Sequence, residues 1–87
     1  MNPSLEETII SIKNLHKEIK KCENIIHLNE LGLSFTKLDE EFNTQLKNER
    51  FMSKHTQNIV KIFNVLKMNF ENCVNIHKYL LIHKNLN

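Results

Sequence analysis

Apolar residues recur at alternating spacings of three and four along almost the whole of this 87-residue chain. The first stretch runs Leu5, Ile9, Ile12, Leu15, Ile19, Cys22, Ile25, with mostly Lys, Glu and Asn between them. A helix turns once every 3.6 residues, so such a row lies along one side and the polar residues along the other. From Leu28 a seven-residue phase can be followed through Leu31, Phe35, Leu38, Phe42, Gln45, Glu49, Met52, Thr56, Ile59, Phe63, Leu66, Phe70, Cys73, His77 and Leu80. Strands would need a period of two and turn residues at regular intervals. The chain instead has one Gly (Gly32) and one Pro (Pro3). The expected fold class is all-α, with elongated coiled-coil helices forming one domain over residues 1–87.

Local signals punctuate the pattern. Pro3-Ser4 followed by Glu6-Glu7 reads as a helix start, with Ser4 as N-cap and acids in the first turn. Cys22, Ile25, Leu28 and Leu31 then follow at successive spacings of three, and Gly32 comes next. A run of threes overwinds or interrupts a coiled coil, and Gly weakens a helix interior by about 1 kcal/mol. A kink or short interruption is therefore expected near 27–34, with Ser34 capping a restart. A second weak stretch places Gln45, Glu49 and Thr56 on the apolar seam. The preserved phase fits one continuous helix. The polar gap, with Asn48, Ser53 and Thr56 as capping residues, favours a turn near 47–56. Charge changes there too. Residues 1–49 carry six Lys against nine acids, a balance of −3, and residues 50–87 carry six cations against Glu71, a balance of +5. The halves suit each other as hairpin arms, or the basic half suits an acidic partner.

A chain of this length buries only about 60% of its unfolded surface, and small scaffolds usually need a disulfide, a metal or a partner. Cys22 and Cys73 have no framework spacing. Each buried Leu, Ile or Phe contributes roughly 1.5–3 kcal/mol, and a seam two residues wide per heptad cannot cover itself. The expected function is thus to bind other helical subunits in a hetero-oligomeric complex, without catalysis. The residues expected to meet partner helices are Ile12, Ile19, Ile25, Leu28, Leu31, Phe35, Leu38, Phe42, Ile59, Ile62, Phe63, Leu66, Phe70 and Leu80.

The remaining chemistry-bearing residues form no complete site. Cys73 and His77 stand four apart on one helical face, half of a zinc site, but Cys22 and His27 are five apart and do not share a face. No metal or other cofactor is expected. His16, His27, His55, His77 and His83 are scattered and pair with no nucleophile at local spacing. Lys13, Lys17, Lys20 and Lys21 are interleaved with Glu18 and Glu23, which reads as a solvated face rather than a nucleic-acid footprint. Tyr79-Leu80-Leu81-Ile82 reads as a docking end rather than a membrane anchor. No run reaches the ~18 apolar residues of a membrane span and no signal-peptide pattern opens the chain, so an intracellular, soluble protein is expected.

The pattern from Ile12 to Leu66 resembles the second Dad-type small subunit of the DASH (Dam-Duo) complex, the fungal ring that couples kinetochores to microtubules. The residues carrying the resemblance are Ile12-Lys13, Lys17-Glu18-Ile19, the apolar series Ile25, Leu28, Leu31, Phe35, Leu38 and Phe42, and Asn58-Ile59 with Ile62-Phe63 and Leu66. Ile59 stands where that family has tryptophan, and no glycine marks a loop near Asn48. The resemblance implies a non-catalytic role in chromosome segregation, at kinetochore and spindle in the nucleus, with contact to microtubules through the assembled complex. Phe42-Asn43 with Leu46-Lys47 is also similar to the first subunit of the complex for biogenesis of lysosome-related organelles. That resemblance, ranked second, implies a cytoplasmic, endosomal setting.

Overall fold

Three helices account for nearly all of the chain: α1 (Leu5–Ile19), α2 (Ile25–Lys47) and α3 (Lys54–Leu86). The computed structural model describes residues 4–86, with side chains through Lys84; Pro3, part of the expected helix start, lies outside the described residues. The all-α, elongated class is what the structure has, with extents of 54 × 23 × 16 Å. At 1.5 Å per residue the 33 residues of α3 come to about 50 Å, so α3 alone spans the long axis.

α1 begins where its cap places it. Ser4 is extended (φ −72°, ψ 166°), and its Oγ accepts the Glu7 N–H at 3.1 Å, while Glu6 and Glu7 sit at the positive end of the helix dipole. Its buried side is Leu5, Thr8, Ile9, Ile12 and Ile19. Thr8 is buried because its Oγ1 donates to the Ser4 carbonyl at 3.1 Å, which removes the cost of an unpaired hydroxyl.

The first break falls at residues 20–24, not at the expected kink near 27–34. The Lys21 and Cys22 N–H groups close α1 on the Glu18 and Ile19 carbonyls, at 3.0 and 3.1 Å. Asn24, extended at φ −143°, then starts α2, its Oδ1 accepting the His27 N–H at 2.7 Å. The run of threes therefore spans a reversal: Cys22 lies in the loop and Ile25 in the next helix. Gly32 and Ser34 are ordinary interior residues of α2, and Ser34 caps nothing. The cost of one glycine, about 1 kcal/mol, is small beside the burial of Leu28, Leu31 and Phe35 around it.

The second break is the expected turn, at residues 48–53, and the continuous-helix alternative is excluded. The Asn48 and Glu49 N–H groups close α2 on the Gln45 and Leu46 carbonyls, both at 3.2 Å. Ser53 opens α3, its Oγ accepting the Thr56 N–H at 3.1 Å and its carbonyl the Gln57 N–H at 3.0 Å.

The helices run up, down and up. α2 lies antiparallel to α3 through Phe42 stacked on Phe63 (ring centroids 3.9 Å apart), Phe35 on Phe70 (4.3 Å) and Asp39 paired with Lys67 at 3.1 Å. α1 lies antiparallel to α2, with Thr8 reaching Gln45, and parallel to α3, with Glu6 beside His55 at 2.8 Å and His16 edge-on to Phe70. One core runs between all three helices, holding Ile12, Ile19, Leu28, Phe42, Phe63 and Phe70.

Candidate partner-helix interface

The residues expected to meet partner helices are mostly inside the chain. Of the fourteen, nine are buried: Ile12, Ile19, Leu28, Leu31, Phe35, Phe42, Ile59, Phe63 and Phe70. Ile25, Leu38 and Leu66 are partly buried against the same core. Only Ile62 and Leu80 stand exposed. The cover expected from other chains is supplied by α1 and α2, which fold back along α3. The expectation placed a kink or short interruption near 27–34, with no reversal within residues 1–47; the reversal at 20–24 turns a hairpin into a three-helix bundle with room for a core.

At the end of α3 the inward residue is Leu81, not Leu80, which is 57% exposed. A strict seven-residue row drifts about 20° per heptad on a straight helix. Over the three heptads from Ile59 to Leu80 the row rotates away from the core, and the next position takes its place. Within Tyr79-Leu80-Leu81-Ile82, therefore, three of four side chains face outward.

The surface left uncovered is concentrated on α3. Its exposed large apolar side chains are Ile62, Val65, Met68, Ile76, Tyr79, Leu80 and Ile82. None was legible from the seam list except Ile62 and Leu80. A second row of threes and fours was the available signal: Ile62, Val65, Asn69, Asn72, Ile76, Tyr79, His83. It lies on the outer side of α3 and meets the core only along its edge, through the half-buried Leu66 and Cys73. A helix with apolar rows on two sides is ordinarily covered on both; here α1 and α2 cover one. A shallow groove between α1 and α3, lined by His16, Asn69, Asn72, Cys73, Ile76 and His77, follows the edge of this row. Elsewhere the exposed apolar residues are scattered: Ile10 on α1, Ile26 and Leu33 on α2, and Phe51 and Met52 at the hairpin turn.

Charge divides by helix. α2 carries Glu30, Asp39, Glu40 and Glu41 against Lys37 and Lys47, and α3 carries Lys54, Lys61, Lys67, Lys78 and Lys84 against Glu71. The two meet at Lys67–Asp39, whose side chains keep 39% and 24% of their exposure, so the pair contributes no more than about 1 kcal/mol and weakens with salt.

Two titratable residues, His77 and Cys22, are fixed where α3 meets the α1–α2 loop. The His77 ring Nε2 lies 2.8 Å from the Cys22 carbonyl; a carbonyl can only accept, so Nε2 carries the proton and ties α3 to the α1–α2 loop. Burial, and secondarily the Glu18 carboxylate, raise the Cys22 thiol above its ordinary value of 9.0, which keeps it protonated and inert. Both thiols are free. Among the described residues no three His, Cys, Asp or Glu side chains gather as metal ligands. No described helix is long and apolar enough to cross a membrane. Comparison with protein-family models, with curated proteins and with solved structures returns no match to this chain.

Proposed function

We propose that this chain is a non-catalytic helical subunit that works by docking a helix on the outer side of α3. One observation carries the reading: seven large apolar side chains on a single helix, among them Val65 at 58%, Met68 at 64% and Ile76 at 62% exposure, share the side that the chain's own helices leave open. Exposed apolar clusters on one side of one helix, here on either side of Asn69 and Asn72, point to an interaction site in a folded protein. The buried core holds the bundle together, and the uncovered row is left for assembly.

The narrower assignment, a subunit of the ring complex that couples kinetochores to spindle microtubules, rests on the sequence resemblance. A photo-crosslinking residue placed at Val65 or Ile76 in the full chain is expected to capture a helical chain, with an equivalent probe at Ile10 of α1 capturing none. Loss of that contrast removes the docking reading. A tagged copy forming spindle and kinetochore foci supports the narrower one; endosomal puncta or diffuse signal overturns it.

A further inference from the structure

We infer that the helix docked on α3 is the α3 of a second copy of this chain, related by a twofold axis. The inference rests on the docking reading above and adds the identity of the occupant. The outer row of α3 keeps a heptad register, with Ile62, Asn69 and Ile76 at one core position and Val65, Asn72 and Tyr79 at the other. In order the row reads two apolar residues, two asparagines, two apolar residues. From Ile62 to Tyr79, before His83 ends the row, that order is the same from either end, so a copy laid alongside in parallel or antiparallel sense sets apolar layers on apolar layers and asparagine on asparagine.

Asparagine is common throughout this chain, so its number carries no argument; its register does. Asn69 and Asn72 are exposed and central in the row. Against an apolar partner helix both amides would be buried without partners, a net cost. Against their own copies each amide meets a donor and an acceptor, the arrangement by which a core asparagine selects register and a low oligomer number in coiled coils.

The flanks also suit a copy. A basic helix would ordinarily repel itself, and α3 is strongly basic. Between Ile62 and His83, however, the charged residues are Lys67, Glu71 and Lys78, and all three fall at positions pointing away from the row or its two flanks. Apart from the exposed Lys61 beside Ile62, the positions beside the row hold apolar or neutral side chains, among them Met68, Leu80 and Ile82 at 64%, 57% and 44% exposure, which a second helix would cover. The like charge that would oppose self-pairing is therefore confined to Lys61 at one end of the row, where neutral side chains of the copy face it.

The test is sedimentation equilibrium of the full chain over a concentration series reaching about 0.3 mM, read beside its helical circular dichroism. The expected result is a reversible monomer–dimer equilibrium. The double variant Val65→Glu/Ile76→Glu, at two solvent-exposed positions, is expected to be monomeric throughout with unchanged helicity, and Ile10→Glu on the far side of α1 to dimerise like the parent. Asn69→Ile is expected to associate more tightly and with a less uniform stoichiometry. A parent chain that stays monomeric, or a glutamate double variant that still dimerises, overturns the inference. If the parent is monomeric while the crosslinker at Val65 captures a different helical chain, self-pairing fails and the docking reading stands. If it captures nothing, both fail.

Discussion

α1 and α3 are built from the same spacing of threes and fours, yet they are used differently. α1 is 15 residues long and apolar along one stripe; Ile10 is its only exposed large apolar side chain. Its far side carries Glu6, Lys13 and Lys17, all exposed. α3 is 33 residues long and sets Ile59, Phe63, Phe70 and Leu81 inward while leaving seven large apolar residues outward. The period of an apolar row establishes that a helix has a face. How many rows it carries determines how many covers it requires. α1 needs the bundle alone, and α3 has surface to spare.

The sharpest way to break that contrast is to truncate each row of α3 in turn. Phe70→Ala removes a ring that is 2% exposed and packed on both Phe35 and His16. It is expected to cost about 3–5 kcal/mol, enough to unfold much of a domain this small. Val65→Ser on the outer row is expected to change monomer stability by no more than about 0.5 kcal/mol. Thermal melts in dilute solution compare the two, and equal costs would mean that the outer row is part of the fold.

A smaller effect tests why α1 is a separate helix. Asn24→Ala removes the acceptor held 2.7 Å from the His27 N–H and is expected to lower stability by about 1 kcal/mol. An unchanged urea midpoint would mean that core packing alone sets the break at 20–24. Gly32→Ala works in the opposite direction. A Cβ there meets nothing within 4 Å, and no glycine has a positive φ. A gain of about 0.5–1 kcal/mol is expected from helix propensity, and a loss would reinstate the kink that the sequence suggested.

The smallest effect concerns the thiols, which sit on the covered and half-covered sides of the bundle. Cys73, half-buried at the edge of the outer row, is expected to react with a thiol reagent well before the buried Cys22. The folded state raises the Cys22 value, so the stability tied to its neutral form is fully present below the unfolded thiol's value. It is lost as pH rises through the higher folded one. The alkaline loss of stability should flatten in Cys22→Ala.

Much of this architecture is legible in the residues themselves. Helix class follows from the spacing, because only a 3.6-residue turn collects Leu5, Ile9 and Ile12 on one side. Ser4 and Ser53 announce helix starts because a side-chain oxygen one turn ahead satisfies N–H groups that the helix cannot. Asn24 is the same kind of signal, and it was masked by an apolar row that keeps its spacing across the reversal at Cys22. The candidate interface was legible only at Ile62 and Leu80, since the more regular buried row drew attention from the outer one.

What the sequence alone determined is the set of faces: helix, stripe, cap and turn are local properties, written within a few residues. Which face lies inward was decided by tertiary structure, because pairs such as Phe35 with Phe70 and His77 with the Cys22 carbonyl join residues far apart in the chain. A periodic row specifies that something must cover it. Only the folded chain shows that α1 and α2 cover the inner side of α3 and leave Val65, Ile76 and Tyr79 in solvent.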